Sequence, residues 1–302
     1  MATPLIVPTE DPGLIVASGL RTLLVCFTSS DDWKALVTVT GRLALQQNSA
    51  VHVCYKDLPN QYPIGGTRFN DEEYRVPFDS LPPLLHAAKA LRALGLSVEF
   101  TDHAAIWQKD RRKQSPFLEA DLIVMTSTFS GSIAFGSQNL ASRAVRLLRK
   151  PILFVRADQV PTAVPPQHTE AAVAAVSLSE RSAQVVQSAA KYASTFGTAL
   201  IVAHAVDSLH NRSRPDNLMS LMCACEMLAR SVGRPGLQTF PRLTYGNVSD
   251  VLTKAKFVEN ASFVALGVDL NDLQSEADKS DTLRESIVRN APCPVLLIPT
   301  AA

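Results

Sequence analysis

The run Asn290-Ala291-Pro292-Cys293-Pro294-Val295-Leu296-Leu297-Ile298-Pro299 lies near the end of the chain. It has a partial echo near the middle, Arg149-Lys150-Pro151-Ile152-Leu153-Phe154-Val155. Each run is a short aliphatic segment entered through proline, and each follows a helical pattern that carries arginines. Proline at the first residue of a strand removes no ladder hydrogen bond, so both runs predict buried strands with sharp starts. Each run is predicted to be the last strand of a domain, and the chain is therefore predicted to contain two tandem copies of one α/β domain.

Strand and helix patterns alternate through both halves of the sequence. Each half carries five strand patterns, which begin with Leu23–Phe27 in the first half and Ala172–Val176 in the second. The strands show little polar alternation, which is typical of parallel strands covered by helices on both faces. Right-handed crossovers then fix the winding. The sequence predicts an α/β fold of two tandem doubly wound parallel five-stranded sheets, with any ligand beyond the carboxyl ends of the strands.

Composition narrows the class of protein. Two proline-bearing segments, residues 1–20 and 157–169, predict an extended tail and a linker, so the predicted domains are 21–156 and 170–302. The formal net charge of +1 does not favour nucleic acid or an acidic membrane surface as a partner. No apolar run is long enough to span a membrane, and the N-terminus lacks a signal-peptide core. The expected location is therefore the cytoplasm.

Cysteine and histidine spacing predicts no metal site and no disulfide framework. The five cysteines are Cys26, Cys54, Cys223, Cys225 and Cys293. Three of them lie in or beside predicted strands, where a thiol acts as a small hydrophobic group. Cys223 and Cys225 are two apart on a predicted helix and do not share a face. His52 and His204 occupy equivalent second strands and are interpreted as core histidines, whereas Ser179 and Glu180 are interpreted as helix caps.

The proline-entered strand Ala291–Leu296 and the segment Tyr245–Val248 before a helix resemble the universal stress protein family, as does the order of elements. The resemblance is to a tandem member and covers about residues 21–156 and 170–300. It implies an adenine-nucleotide-hydrolase-like fold for each half and pairing through the last strands. The two closing strands would then pair within the chain as an intrachain pseudo-dimer, which closes two sheet edges. A further homodimer is compatible with this arrangement.

Nucleotide-binding members of the family carry an aspartate after the first strand and a G-x2-G-x9-G-[S/T] loop after the fourth. Glycines let the backbone approach phosphate oxygens, and the last Gly-Ser presents amides at a helix N-terminus. Thr28 and Ser177 stand at the two aspartate positions. In the second half the loop positions fall on Gly267, Leu270, Ser280 and Asp281. Further acidic residues disfavour phosphate there, namely Asp269, Asp272, Glu276 and Asp278.

The first-half loop Thr126–Ser137 is rich in hydroxyls and contains no acidic residue. Gly136 and Ser137 precede a helix as the family's Gly-Ser does. The resemblance therefore implies a nucleotide or anion site, with ATP or AMP as its ligand, formed by Thr28, Ser29, Thr126, Ser130, Gly131, Ser132, Gly136 and Ser137. The alternative is that Ser137 only caps the helix and that the loop is a solvated turn.

Three functions are compatible with this sequence. The first is a non-enzymatic stress-response or regulatory protein that acts through contacts with a protein partner, because the nucleotide signature is weakened in both halves. The second is an adenine-nucleotide binder, with or without slow ATPase activity, that uses only the first-half loop. The third is a regulatory partner or cytoplasmic region of a membrane transporter, which only the breadth of the family suggests.

Overall fold

The computed structural model describes residues 20–27, 33–55, 83–102, 119–127, 140–156, 171–206, 215–259, 261–270 and 277–301. The first-half elements are β1 (Thr22–Phe27), α1 (Trp33–Gln47), β2 (Ala50–Tyr55), α2 (Pro83–Ala93), β3 (Val98–Asp102), β4 (Leu122–Thr126), α3 (Leu140–Leu148) and β5 (Ile152–Val155). The second-half elements are β6 (Ala171–Ala175), α4 (Ser182–Phe196), β7 (Ala199–Val206), α5 (Pro215–Val232), β8 (Thr239–Tyr245), α6 (Val248–Lys254), α7 (Lys256–Glu259), β9 (Ala261–Asp269), α8 (Ala277–Asn290) and β10 (Val295–Thr300).

All of these strands join one ten-stranded sheet in the order β3-β2-β1-β4-β5-β10-β9-β6-β7-β8. Neighbouring strands are parallel within each half, as in the pairs of β1 with β2 and of β6 with β7. The halves meet where β5 pairs with β10 in the antiparallel sense, with Leu153 opposite Leu296. The predicted fold class and the predicted pairing of the two closing strands are confirmed. The two five-stranded sheets are therefore parts of one continuous sheet.

The two closing strands are buried because helices cover both faces of the sheet. Leu153 and Leu296 face one hydrophobic core, whereas Phe154 and Leu297 face the other. The prolines that enter these strands lack a donor but still supply acceptors. The Pro151 carbonyl accepts from Ile123 N, and the Pro294 carbonyl accepts from Val264 N. We call the antiparallel β5–β10 pair, with the helices that pack over it, the joint. Each core contains residues from both sides of the joint, so both halves share the apolar surface that folding buries.

Helices from the two halves pack pairwise across the joint. On one face α1 contacts α4, and the Tyr192 hydroxyl donates to the Asp121 carbonyl at 3.0 Å. On the other face α3 contacts α8, and polar contacts between described residues cross from one half to the other. They join Arg146 Nε to the Asp269 carbonyl at 3.0 Å, Ala141 N to Glu285 Oε2 at 3.1 Å, and Arg156 Nη1 to the Ala291 carbonyl at 3.1 Å.

Several bounds differ from those that the sequence predicts. The sequence pattern of residues 248–258 predicts one helix, but the structure interrupts it at Ala255, whose ψ of 135° is extended. The sequence pattern also predicts a strand that ends at Leu266, whereas β9 continues to Asp269. Helix α8 begins at Ala277, so Ser280 and Asp281 lie within the helix and the expectation that they precede it is wrong. The charged and polar start of α8 shows no apolar periodicity, which is why sequence reading began the helix later.

Parts of the predicted domain organisation fall outside the described ranges. These are residues 1–19 of the tail and all of the linker at 157–169. Within the described helices, none has both the length and the hydropathy that a membrane span requires.

Burial raises the pKa of the Cys225 thiol to about 11 and that of the Cys293 thiol to about 12. Both thiols are therefore protonated at neutral pH.

Candidate functional site

A cavity of about 410 Å³ lies at the carboxyl ends of β6, β7, β9 and β10. Strand order reverses between β6 and β9, because β7 lies on one side of β6 and β9 on the other. Ligands of open α/β sheets bind at such a reversal. We call this cavity the second-half crevice. The site predicted from the sequence lies in the first half, because acidic residues disfavour phosphate at this second-half position.

The wall of the crevice is mostly apolar. It is formed by Ala175, Val176, Val185, Ala203, Ala205, Val248, Val251, Leu252, Leu266, Leu283 and Ile287. These residues come from three strand ends and from α4, α6 and α8, so the sheet and the helices of both faces contribute. A mostly apolar concavity with a few polar groups is typical of small-molecule sites, whose volumes run from ~300 to ~1,000 Å³.

An ion pair and a second arginine supply the charged groups of the crevice. The Arg181 guanidinium donates to the Asp269 carboxylate, and their side chains are 38% and 14% exposed. Arg284 Nε donates to the Gly267 carbonyl at 2.8 Å. All three charged residues line the crevice. The described wall therefore carries two guanidinium groups and one carboxylate.

The start of α4 and the turn before it bring serine hydroxyl groups to the crevice. The N-cap of α4 is Arg181, which makes no side-chain capping hydrogen bond, so the expectation that Ser179 or Glu180 caps this helix is wrong. The Ser179 hydroxyl instead bonds that of Ser177 at 3.0 Å. Ser182 lines the crevice at 3% exposure, and its hydroxyl has no hydrogen-bond partner among the described residues. An unpartnered buried hydroxyl costs about 1–3 kcal/mol.

His204 lines the crevice as well as packing in its strand. Its Nδ1 lies 2.8 Å from the Val176 carbonyl. A carbonyl only accepts, so Nδ1 carries the hydrogen of this contact. The sequence interpretation of a satisfied core histidine is therefore incomplete, since His204 is only half-buried and borders the cavity.

Gly267 owes its identity to close packing. A Cβ atom at this position would lie 2.8 Å from Val185 Cγ2 and 3.4 Å from Thr300 Cγ2. The first of these distances is too short for ordinary carbon contacts, so α4 could not pack as closely against β9 with a larger residue here. Gly267 is the glycine that matches the nucleotide motif in sequence. Its packing role explains that match without a phosphate.

The predicted first-half site falls mostly outside the described residues. Thr126 is the last residue of β4, is 1% exposed and pairs with Val155 in β5. The other predicted residues, Thr28, Ser29, Ser130, Gly131, Ser132, Gly136 and Ser137, lie outside the described ranges. The nucleotide or anion site there stays a prediction. Nearby, the Ala141 amide in the first turn of α3 already binds the Glu285 carboxylate.

The sequence marks Asp269 only as an acidic residue that disfavours phosphate, and it does not single out Arg181, Ser182 or Arg284 as site residues. Arg181 and Asp269 are 88 residues apart, and no local pattern links them. Ser182 looks like any serine at a helix start. The available signal was the rule that ligands lie beyond strand ends, which does select the turn after β6. Among the described residues, no group of three or more His, Cys, Asp and Glu side chains is arranged to hold a metal ion.

Comparison with known proteins supports the fold alone. The sequence matches no protein-family model and none of the curated proteins compared with it. A universal stress protein from Archaeoglobus fulgidus DSM 4304 is 12% identical, with 93% of this chain and 96% of that chain covered at a TM-score of 0.57. A putative universal stress protein from Pseudomonas aeruginosa UCBPP-PA14 is 16% identical, with 94% and 95% covered at a TM-score of 0.55. A functionally unknown protein from Pseudomonas aeruginosa PAO1 is 15% identical, with 94% of each chain covered at 0.55. The chain thus has the fold of these universal stress protein structures.

Proposed function

We propose that this protein is a non-enzymatic, cytoplasmic stress-response or regulatory protein that binds a small molecule in the second-half crevice. Its output is a change in contacts with other proteins. The observation that carries the proposal is the position of Asp269. Its carboxylate pairs with Arg181 in the crevice wall, and its backbone carbonyl accepts from Arg146 of the first half. One residue therefore belongs both to the crevice and to the joint between the halves.

This position gives a ligand a route to the first half. A ligand that engages Arg181 changes the interaction that holds the Asp269 side chain. The same residue anchors α3 through its carbonyl, and in the sequence α3 comes after the predicted loop Thr126–Ser137. A ligand shifts an equilibrium only by its differential affinity for the two states. Here that difference would arise at the Arg181–Asp269 pair.

The polar groups of the crevice support binding rather than chemistry. Arg181, Arg284 and His204 each donate to a protein acceptor, so these side chains are held in place. Fixed polar groups in an apolar wall orient a ligand. We therefore assign the crevice a sensing role and no reaction.

An exposed apolar surface on the second half supports action through protein contacts. Met219 and Met227 on α5 are 68% and 67% exposed, and Met222 is 37% exposed. Their spacing puts them on one side of the helix. Phe240 and Tyr245 on the edge strand β8 are also exposed. Methionine-rich surfaces adapt to differently shaped partners.

The second candidate function, adenine-nucleotide binding by the first-half loop, stays a prediction from the sequence. It differs from the crevice proposal in its ligand and in the half of the chain whose hydrogen exchange should change. ATP or AMP would protect the region around Thr126. A ligand of the crevice would instead protect the turn after β6 and the start of α4. Hydrogen exchange with each ligand separates the two responses.

The proposed function is tested with a library of small molecules and ligand-observed NMR. Ala205 lines the crevice, so Ala205→Leu fills part of it, whereas Ala93 is exposed in the first half and Ala93→Leu is the matched control. We expect ligands that bind the wild type and the control, and bind Ala205→Leu at least about tenfold more weakly, a loss of ~1.4 kcal/mol. Ligands should also change hydrogen exchange in α3. Absence of any crevice ligand at millimolar concentration, or binding that leaves α3 unchanged, would contradict the proposal.

A further inference from the structure

We propose that the ligand of the second-half crevice is a small organic monocarboxylate with an apolar body. Its carboxylate lies at the start of α4, between the Arg181 guanidinium and the Ser182 hydroxyl. This inference rests on the proposed function and adds the chemical class of the ligand.

The Ser182 hydroxyl is the first observation. It lines the cavity, it is almost completely buried, and no described residue accepts from it or donates to it. Buried polar groups of native proteins are almost always hydrogen-bonded. The hydroxyl can donate to a ligand oxygen, which would satisfy it. A ligand with an acceptor at this position therefore completes a hydrogen-bond set that the described residues leave incomplete.

Arg181 is the second observation. Its guanidinium already holds one carboxylate, that of Asp269, in the crevice wall. Guanidinium presents five N–H donors in a planar fork, so a single Asp269 oxygen uses only part of its capacity. The geometry of Arg181 suits carboxylate because the fork can bind both oxygens. Asp269 fixes the orientation of the guanidinium and leaves the ligand the other donors.

The N-terminus of α4 adds a favourable electrostatic field at the proposed carboxylate position. Helix α4 is 15 residues long, and its N-cap makes no side-chain capping bond. The amides at a helix N-terminus carry about half a positive elementary charge, which stabilises an anion. Arg284 adds a second positive group on the opposite wall, where it donates to the Gly267 carbonyl.

The rest of the crevice selects the body of the ligand. Val176 and Val185 lie beside the proposed carboxylate position, and Leu252, Leu266 and Ile287 continue the apolar wall. A volume of about 410 Å³ suits a small molecule with an aliphatic or aryl body. Multiply charged phosphates fit less well, because the Asp269 carboxylate lies in the crevice wall and its repulsion of an anion grows with the charge of the ligand.

The test uses a panel of aliphatic and aryl carboxylic acids of about six to ten carbons, each paired with its primary amide. Each amide keeps the body and removes the charge. Affinities are measured by calorimetry, with inorganic phosphate and AMP as phosphate probes. We expect acids to bind the wild type at least about tenfold tighter than their amides, and the phosphate probes to bind more weakly than the acids.

Two variants locate the carboxylate. Ser182→Ala should weaken acid binding about five- to tenfold and leave amide binding unchanged. It should also raise the Tm of the free protein by about 1–3 °C, because it removes a buried hydroxyl that has no partner. A merely structural serine would lower the Tm and would not change the preference for acids. Arg181→Gln combined with Asp269→Asn keeps a hydrogen-bonding pair in the wall and should abolish that preference.

The outcomes separate this inference from the proposed function. If acids and amides bind the crevice equally, or if Ser182→Ala leaves acid binding unchanged, the carboxylate assignment is wrong and the crevice remains a ligand site. If AMP or phosphate competes more strongly than the acids, the ligand is a phosphate and the assignment is wrong. If library compounds bind the crevice and no acid does, the assignment is also wrong. If nothing in the library or the panel binds the crevice, the proposed function itself fails.

Discussion

The two faces of the central sheet join the halves by different chemistry. On the face of α1 and α4 the described contacts at the joint are apolar packing and a part-buried hydrogen bond from the Tyr192 hydroxyl to the Asp121 carbonyl. On the face of α3 and α8 the joint includes charged side chains, among them Arg146 and Glu285. Apolar packing responds little to a charged ligand. The second face shares Asp269 with the crevice, so it can carry a response while the first face keeps the halves together.

The strands that both faces share give the largest expected effect. Leu296 faces one core and Leu297 the other, and both are fully or almost fully buried. Leu296→Ala and Leu297→Ala should each lower the free energy of unfolding by about 2–5 kcal/mol, because each deletion leaves a cavity at the joint. Urea unfolding followed by circular dichroism and by tryptophan fluorescence measures this loss. Two separate transitions for the two halves, with only one shifted, would show that the cores are not shared.

Close packing at the crevice floor gives the next effect. The Cβ atom of Gly267→Ala would press against Val185, so the substitution should cost about 1–3 kcal/mol of unfolding free energy. Val185→Ala removes the group that clashes. In the double variant Gly267→Ala with Val185→Ala, the glycine substitution should therefore cost much less. If Gly267→Ala lowers the free energy of unfolding equally in the wild type and in Val185→Ala, residue 267 requires glycine for a reason other than packing.

The polar joint is tested at Glu285. Its carboxylate accepts from the Ala141 amide of α3 and pairs with Arg289, and its side chain is 13% exposed. Glu285→Ala should cost about 1–2 kcal/mol, because it removes the carboxylate that caps α3. The matched control is Glu226→Ala, which removes an exposed pair with Arg230 on α5 and should cost less than ~0.5 kcal/mol.

Hydrogen exchange adds the link to function. In Glu285→Ala, protection in α3 should fall at Leu140–Leu148, while protection in α1 is retained. The response of α3 to a crevice ligand should also weaken. If α1 and α3 lose protection equally, the two faces do not respond separately, and the comparison between them fails.

Local sequence patterns predict the fold because each element carries its own signal. The predicted strand Leu23–Phe27 lies within β1, and the run Ile152–Val155 is β5. Pairing of the closing strands came from the resemblance and is confirmed by the sheet order. The crevice was not predictable in this way. Arg181, Asp269 and Arg284 come together only after the chain folds, and a missing partner for Ser182 is a property of three-dimensional packing.

The smallest effect concerns the apolar face. Tyr192→Phe removes the hydrogen bond to the Asp121 carbonyl and should cost about 0.5–1.5 kcal/mol at neutral pH. Burial, with a smaller contribution from the Asp121 charge, holds the pKa of the Tyr192 hydroxyl well above its usual range. The unfolded phenol ionises near pH ~10, whereas the folded one stays protonated. Stability is therefore fully present below pH ~10 and falls as pH rises beyond it.

Urea unfolding at a series of pH values checks this sign. The wild type should lose stability above pH ~10 more steeply than Tyr192→Phe, so the two curves converge as pH rises. Burial also raises the pKa of the Cys293 thiol, and this thiol changes the stability of the wild type and of Tyr192→Phe equally. The difference between the curves therefore isolates Tyr192. A constant difference across the alkaline range would mean that the phenol ionises as easily in the folded state, and the apolar face would then be open to water at this contact.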